Sequence, residues 1–285
     1  MRFAIVSIAA LALAGPVQAQ QAPVPEAQLA APSRFVFLEG GRNFRDMGGY
    51  RTVDGKLVKS GVLYRSGSPG GLTPRGLADL QALHVAAIVD LRTTDERRHD
   101  SVDLPAAFGP RYWTRDYGMS VGDMRSVFSG GPLTADSIRA MMIGVYRRIP
   151  REQAQSYREL FARLAQGKGP TVVNCTAGKD RTGVAAALVL TALGVPYETV
   201  RRDFLLSNGA PGMETLQSGI GPLAKLPPDV VAPLVGVEAG YLDTAFAAIR
   251  QDFGSVEGYL RDQLGVGPRE IAALRRQMLD RGDTP

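Results

Sequence analysis

Cysteine, histidine and lysine are the scarce residue types in this sequence of 285 residues. One cysteine excludes an internal disulfide. The two histidines, His84 and His99, lie apart and have no spaced carboxylates near them, so they predict no metal site. Lysine supplies only five of the 33 basic residues, and the arginines are scattered without a dense basic run. The net charge of +5 is therefore weak evidence for a nucleic-acid partner, and we expect none.

Glycine and proline, by contrast, are frequent, with 33 and 19 residues, but they follow no period along the chain. They indicate turns in a loop-rich fold and give no sign of a repeat architecture. Hydrophobic residues make up 45% and charged residues 21% of the chain. These proportions are typical of a soluble globular protein, so the sequence predicts one large domain.

The first 19 residues have the pattern of an export signal. Arg2 precedes an apolar stretch at residues 3–14 that is too short to span a bilayer, and small residues at 17–19 offer a cleavage point. We expect a secretory signal peptide at residues 1–19, with an uncleaved membrane anchor as the alternative. Residues 20–33, rich in Gln, Ala and Pro, indicate a flexible leader. The folded domain is expected at residues 34–285, in the periplasm or outside the cell.

Short strands alternate with helices along this domain, and Asp54-Gly55 predicts a tight hairpin turn before them. Thr73-Pro74 has the pattern of a capped helix start. This alternation predicts an α/β fold with a mainly parallel central sheet flanked by helices. Strands are predicted at residues 62–65, 86–89, 111–113 and 170–174. Helices are predicted at residues 74–84, 134–148, 152–165, 184–193, 197–207, 238–252, 256–264 and 268–280.

The single cysteine lies where a predicted buried strand gives way to a helix. Cys175 and Arg181 are six positions apart, and Gly178 lies between them. Backbone N–H groups in such a loop converge on a concavity, and the N-terminus of the following helix adds its positive end. Together they predict a site for a dianionic phosphate, and the same field favours the thiolate form of the cysteine.

Residues 174–183 read N-C-T-A-G-K-D-R-T-G. They resemble the H-C-x-x-G-K-D-R-T-G loop of bacterial tyrosine and dual-specificity phosphatases related to the secreted lipid and tyrosine phosphatases of mycobacteria and Listeria. The resemblance extends from residue 35 to the carboxyl end, because other recurring segments of that family follow in the same order. They lie at residues 42–46 with 48–50, 63–66, 89–92 and 254–260.

This resemblance implies a protein tyrosine phosphatase-like fold and the hydrolysis of phosphomonoesters. It implies that Cys175 is a nucleophile that forms a phosphocysteine, that Arg181 binds the equatorial phosphate oxygens, and that the Thr182 hydroxyl lies near the sulfur. Neither a metal nor another cofactor is expected, because loop amides and Arg181 supply the charge stabilisation. The other residues of the loop are expected to bind substrate: Asn174, Thr176, Ala177, Gly178 and Lys179.

One residue departs from the family pattern, because Asn174 stands in place of the histidine that precedes the cysteine. An amide can donate hydrogen bonds that order the loop, but it carries no positive charge. The pH optimum of the reaction therefore does not carry over from the family.

Two aspartates are candidates for the proton donor to the leaving group. Asp116 occupies a position that resembles the acid loop of the family. The alternative interpretation is that Asp116 is a solvated turn residue. Asp180 lies within the cysteine loop, where it can serve as the acid, orient water, or remain a carboxylate at the start of the helix. Asp95 and Glu96 are interpreted as helix-capping residues.

Lys179 has two interpretations. It is either a loop cation that adds to the attraction for phosphate, or the contact to an additional phosphate, because Ala-Gly-Lys-x-Arg resembles the loop of phosphoinositide phosphatases. Residues 209–228 with 230–237 predict either a hinged lid over the site or a surface connection.

The expected activity is hydrolysis of phosphotyrosine, with phosphoserine, phosphothreonine and phosphoinositides in a membrane as further substrates. A phosphoinositide phosphatase is the alternative within the same chemistry. Two other classes stay open, namely a sulfurtransferase, which also places a cysteine in a loop before a helix, and a phosphate-binding protein without turnover.

Overall fold

A computed structural model describes residues 34–99, 102–118, 133–215 and 224–280 of the chain. The predicted signal peptide and leader, residues 1–33, lie outside the described residues, as does part of the predicted lid, residues 216–223. All residues of the cysteine loop are described.

The central sheet has five strands in the order β1-β2-β5-β3-β4. Strand β1 is antiparallel to β2, and the other neighbouring pairs are parallel. This arrangement confirms the predicted α/β fold with a mainly parallel sheet. The strands are β1 (Arg45–Asp46), β2 (Leu63–Ser66), β3 (Ala87–Asp90), β4 (Tyr112–Trp113) and β5 (Thr171–Asn174).

The three central strands are buried along their whole length, as expected for a parallel sheet with helices on both faces. Their register places Ser66 and Asp90 on either side of Asn174. Because parallel strands end at the same edge of a sheet, these three polar residues meet at the edge where Cys175 follows. Open α/β sheets commonly bind ligands at this edge.

Helices cover both faces of the sheet. A smaller apolar cluster, which includes Ile88 and Val172, packs under α1 and α3, and a larger one, which includes Val89 and Val173, packs under the later helices. Adjacent residues of a strand thus serve opposite faces. The helices are α1 (Pro74–Ala82), α2 (Thr94–Arg98), α3 (Leu104–Phe108), α4 (Ala135–Glu152), α5 (Ala154–Gln166), α6 (Arg181–Leu193), α7 (Tyr197–Leu205), α8 (Pro228–Val235), α9 (Ala239–Phe253), α10 (Val256–Gly258) and α11 (Pro268–Met278).

The local signals read from the sequence have their expected structural counterparts. At the Asp54-Gly55 turn, the Thr52 N–H donates to the Lys56 carbonyl, and Gly55 has a φ of +84°. Thr73 caps α1, because its side chain accepts a hydrogen bond from the Gly76 N–H.

Several helix boundaries differ from the prediction by one to four residues, and two helical segments differ in a way that affects the local geometry. Helix α6 begins at Arg181 rather than at Val184, so the turn between β5 and α6 is tighter than expected. The helix predicted at residues 256–264 is a short α-helix continued by a π-helical segment, Tyr259–Gln263. Tyr259 is buried there, and its hydroxyl donates to the Pro150 carbonyl at 2.6 Å. The wider π-helical turn therefore occurs where a residue of the segment packs against another helix.

The stretch Pro228–Phe253 has the length and apolar composition of a membrane span. It consists of two helices, α8 and α9, which both pack against α4. Tyr241, Leu242 and Phe246 of α9 lie in the larger apolar cluster. These contacts account for the apolar composition of α9 as core packing.

Candidate active site

The cysteine loop runs from the end of β5 to the start of α6, and only 1% of Cys175 is exposed. Gly178, in the middle of the loop, has a φ of +69°. A Cβ atom at this position would overlap the backbone of Ser66 and Gly67 at the end of β2. The sharp turn and the close approach of β2 therefore both require glycine.

The carbonyl groups of the loop are bound to the surrounding scaffold. The Thr176 carbonyl accepts a hydrogen bond from the Ser68 N–H at 2.9 Å. The Gly178 carbonyl accepts one from Asn43 Nδ2 at 3.1 Å and one from Arg65 Nη2 at 2.8 Å. Asn43 Nδ2 also lies 3.4 Å from the Ala177 carbonyl.

These contacts determine where the loop amides point. In a planar trans peptide, the N–H group points away from the carbonyl that precedes it. With three successive carbonyls directed outward, the amides of Ala177, Gly178 and Lys179 point towards the interior of the loop. Within the described residues, no acceptor takes the N–H groups of residues 176–180. The loop thus has the arrangement of an anion-binding nest at a helix N-terminus.

A buried ionic cluster supports the loop from behind. Asp203 of α7 accepts a hydrogen bond from Arg65 Nη1 at 2.8 Å, another from Arg45 Nε at 3.2 Å, and a third from the Tyr50 hydroxyl at 2.8 Å. Burial alone would raise the pKa of Asp203, but the two guanidinium groups outweigh it and lower the pKa to about 2. Arg65 connects this cluster to the Gly178 carbonyl.

The guanidinium of Arg181 is held by a carboxylate. Arg181 Nη2 lies 2.6 Å from Glu96 Oε1, and Arg181 Nη1 lies 2.7 Å from Glu96 Oε2. The Thr176 hydroxyl also donates to Glu96. Burial would raise the pKa of Glu96, but its bonds to Arg181 outweigh this effect and lower the pKa to about 2. A two-pronged pair of this kind is the geometry with which arginine also binds phosphate.

Glu96 has a second contact, which the sequence did predict. It forms a capping box with Thr93 at the start of α2, in which Glu96 Oε2 accepts from the Thr93 N–H at 2.7 Å. The interpretation as a capping residue is therefore confirmed, but the contact with Arg181 was missed. No local signal in the sequence distinguishes an acidic residue that only caps a helix from one that also contacts a residue 85 positions away.

Asn174 closes the sheet side of the loop. Its Nδ2 donates to Asp90 Oδ1 at 3.0 Å, and Asp90 also accepts from the Tyr112 hydroxyl and from Arg92. The Asn174 amide thus makes the kind of ordering hydrogen bond expected from the sequence. Its Oδ1 is buried and has no hydrogen-bond partner among the described residues.

The two candidate acids lie in different surroundings. The Asp116 side chain is 85% exposed and binds the α2 residues Arg97, at 2.6 Å, and Thr94, at 3.1 Å. The Asp180 side chain is 21% exposed and lies within the loop, where it accepts from the Tyr146 hydroxyl and from Lys179. The role of either residue as proton donor stays a prediction.

The remaining two loop side chains predicted to act on substrate are buried. Only 5% of the Lys179 side chain is exposed, and its ammonium is paired with Asp180. The Thr182 hydroxyl has no partner in the described part of the chain, although the residue is fully buried at the first turn of α6. A free hydroxyl there accords with the expected position near the sulfur, which stays a prediction.

A parallel sheet whose central strand leads through a cysteine loop into a helix, with an arginine at that helix start, is typical of cysteine-dependent phosphatases. Residues 36–280 match the model of the tyrosine phosphatase family. The chain belongs to this family, and its activity is that of a protein tyrosine phosphatase. The family resemblance read from the loop is therefore confirmed.

Relatives in several bacteria have similar sequences over most of their length. A Cupriavidus necator protein that bears the name of a tyrosine-protein phosphatase is 38% identical over 245 residues, covering 83% of this chain and 85% of that protein. The triple specificity protein phosphatase PtpB of Mycobacterium tuberculosis is 30% identical over 278 residues, covering 85% of this chain and 98% of PtpB. A tyrosine-protein phosphatase of Nostoc commune is 29% identical over 229 residues, covering 76% and 74%.

Proposed function

We propose that Cys175 and Arg181 carry out phosphotyrosine hydrolysis in two steps. In the first, the Cys175 thiolate attacks phosphorus, an S–P bond forms, and the tyrosine oxygen leaves with a proton from an acid. In the second, water releases inorganic phosphate and restores the thiolate. The observation that carries this proposal is the loop itself, in which Cys175 is followed by inward-pointing amides and by Arg181 at the start of α6.

Arg181 can bind phosphate while it keeps its contacts to Glu96, provided that phosphate replaces its longer hydrogen bonds. Each terminal nitrogen of a guanidinium carries two N–H groups, and Glu96 takes one from each. The second N–H of Nη1 faces the Leu91 carbonyl at 3.1 Å and that of Nη2 faces the Thr176 hydroxyl at 3.2 Å, so phosphate oxygens replace these longer contacts while the loop amides complete the set of donors. This arrangement places positive charge where negative charge develops in the transition state.

Hydrolysis of p-nitrophenyl phosphate by the purified protein, with and without vanadate, tests this proposal. We expect turnover that vanadate inhibits and that Cys175→Ser abolishes, because a hydroxyl without an adjacent base is a poor nucleophile. Cys175→Ser should still bind a phosphotyrosine peptide. Activity of this variant within tenfold of the parent would remove Cys175 from the mechanism, and a parent without turnover would favour a phosphate-binding protein.

We extend the proposal to phosphoserine, phosphothreonine and phosphoinositide substrates as side activities. Its support is the resemblance of the Ala-Gly-Lys-x-Arg segment to phosphoinositide phosphatases and the triple specificity named for the M. tuberculosis relative. Because the Lys179 ammonium is buried against Asp180, we expect Lys179→Ala to lower kcat/KM on phosphopeptides and on phosphoinositide vesicles by similar factors. A selective loss on vesicles of about tenfold or more would instead assign Lys179 to a second phosphate.

We also propose export of the protein by residues 1–19, on the evidence of the apolar stretch and the small residues at 17–19. Mass spectrometry of the protein from the periplasm and the medium should find a mature chain that begins at Gln20. An intact N-terminus in the membrane fraction would favour the anchor, and an intact chain in the cytoplasm would contradict export.

A further inference from the structure

The carbonyl of Leu91 lies at the sheet edge beside the cysteine loop. Leu91 directly follows β3 and is fully buried, and its N–H donates to the Asn174 carbonyl at 2.8 Å. Two side chains donate to the Leu91 carbonyl, namely Arg181 through Nη1 at 3.1 Å and Tyr117 through its hydroxyl. Because burial keeps water away from this carbonyl, it needs at least one of these donors.

Phosphate binding changes the donors that this carbonyl has. Of the two N–H groups on Arg181 Nη1, one donates to Glu96 at 2.7 Å and the other faces Leu91. When a phosphate oxygen takes the second N–H, the Leu91 carbonyl loses its hydrogen bond from arginine. A buried carbonyl without a donor would then offset much of the free energy that the new contact to phosphate contributes.

The Tyr117 hydroxyl lies where it can prevent this loss. It donates to the Leu91 carbonyl, and its oxygen lies 3.3 Å from Arg181 Nη1. The bond to the carbonyl uses the proton of the hydroxyl, so it does not depend on the arginine. The Leu91 carbonyl thus keeps a donor when Arg181 gives its N–H to phosphate.

Contacts of its backbone, ring and hydroxyl fix Tyr117 in this position. Its N–H donates to Thr94 Oγ1 at 3.1 Å, and its carbonyl accepts from the Thr94 N–H at 3.0 Å. The Arg115 guanidinium lies 3.8 Å from the centre of its ring. Gln153 Nε2 donates to its hydroxyl oxygen at 2.8 Å, which leaves the hydroxyl proton for Leu91. The fold itself therefore holds the hydroxyl against the carbonyl.

We propose that Tyr117 is a positioning residue that frees Arg181 for phosphate by keeping the Leu91 carbonyl hydrogen-bonded. Exchange at Nη1 then replaces one longer contact of the arginine and leaves no donor missing at the carbonyl. Since phosphate is bound in both the substrate complex and the transition state, Tyr117 should affect affinity rather than the rate of the chemical step. This assignment rests on the proposed function, because it requires that Arg181 binds the phosphate group.

Kinetics of Tyr117→Phe on p-nitrophenyl phosphate test this role. We expect KM and the inhibition constant of vanadate to rise about tenfold, because the complex then contains a buried carbonyl without a donor. The value of kcat should stay within about threefold of the parent. Gln153→Met is the matched control, since it removes the bond between Gln153 and Tyr117 and leaves the hydroxyl on Leu91. Its KM and inhibition constant should stay within about threefold of the parent.

Parental KM in Tyr117→Phe, or an equal rise of KM in both variants, would overturn the proposal, and so would a loss confined to kcat. A crystal structure of the parent with vanadate decides independently if Tyr117→Phe does not fold. Arg181 Nη1 should contact vanadate there, while the Tyr117 hydroxyl stays on the Leu91 carbonyl. An Nη1 group that still donates to Leu91 would contradict the proposal. A parent that neither hydrolyses p-nitrophenyl phosphate nor binds vanadate would instead refute the proposed function.

Discussion

Both basic side chains of the cysteine loop have an acidic partner. Arg181 is paired with Glu96, and Lys179 is paired with Asp180. Each carboxylate orients the side chain of its basic partner and neutralises positive charge that is buried in the site. The two acidic residues are therefore part of how the loop presents its donors, and substitution of either should affect catalysis more than its exposure suggests.

Glu96→Gln tests the pairing with Arg181. An amide has one oxygen acceptor in place of two, so the Arg181 guanidinium loses one of the two hydrogen bonds that fix its orientation. We expect kcat/KM on p-nitrophenyl phosphate to fall about tenfold, with the protein still folded. Asp95→Asn is the matched control on the same helix, because the Asp95 carboxylate is exposed and pairs with the exposed Arg98 at 3.2 Å. Equal activity of the two variants would show that Glu96 acts only as a cap.

Asp116→Asn tests the choice of proton donor. If Asp116 protonates the leaving oxygen, this variant should lose about 10²-fold in turnover of phenyl phosphate, whose leaving group is poor. The loss should shrink on p-nitrophenyl phosphate, and the basic limb of the pH profile should flatten. Asp79→Asn, which removes a carboxylate paired with Arg75 on α1, serves as a surface control. An equal loss on both substrates would remove Asp116 as the donor.

At the scale of elements, strand ends and loop carbonyls determine the site more than any single side chain. The end of β2 contacts Gly178 from one side, and Asn43, before β1, binds the carbonyls of the loop. The recurring segments around Asn43 and Arg65 thus both bind carbonyls of the cysteine loop, although they lie more than 100 residues before it. Their role follows from the fold and not from their local sequence.

Gly178→Ala tests how closely β2 and the loop fit. The new Cβ would overlap the backbone of Ser66 and Gly67, and the φ of +69° is unfavourable for alanine. We expect a loss of about 1–3 kcal/mol in unfolding free energy and a fall in kcat of at least about tenfold. Gly209→Ala is the control, because a Cβ there meets no atom within 4 Å. Near-parental kinetics and stability of Gly178→Ala would contradict this account.

The sequence predicted the elements better than the contacts between them. Strand β5, the loop and the start of α1 follow from buried apolar runs, Gly178 and the Thr73 cap, all of which are local signals. Asp203 lies in the middle of an ordinary helical pattern, and nothing near it in the sequence indicates two arginine partners. Long-range ion pairs of this kind depend on the folded arrangement, so sequence reasoning missed them.

At the scale of the whole molecule, the buried cluster of Arg45, Arg65 and Asp203 connects β1, β2 and α7. Each of these side chains is almost completely buried. Removal of one charge from such a cluster leaves the others without compensation, which is strongly destabilising. The cluster therefore makes the stability of the domain depend on the ionised state of one carboxylate.

This dependence predicts how stability changes in acid. The pKa of Asp203 is about 2 in the folded protein and about 3.9 in an unfolded chain. Its stabilising contribution is therefore fully present above about pH 4 and is lost as the pH falls towards 2. Urea unfolding of the parent should show a steep loss of free energy over this interval. Asp203→Asn should be less stable at pH 7 by about 3–5 kcal/mol and should show a shallower pH dependence.

A parent whose unfolding free energy stays constant between pH 4 and pH 2.5 would contradict this prediction. Asp243→Asn serves as the control, because Asp243 interacts with Tyr197 and Arg201 at a partly exposed position. Its pH profile should follow that of the parent.

The outward attachment of the Thr176, Ala177 and Gly178 carbonyls also bears on the thermodynamics of ligand binding. Because the fold itself binds these groups to Arg65 of β2, to the Ser68 amide and to Asn43, the conformational entropy of the loop is lost during folding. Oxyanion binding then requires little further ordering of the backbone. Calorimetry with vanadate should accordingly find a small entropic penalty in the parent and a larger one in Asn43→Ala, where two of those attachments are absent.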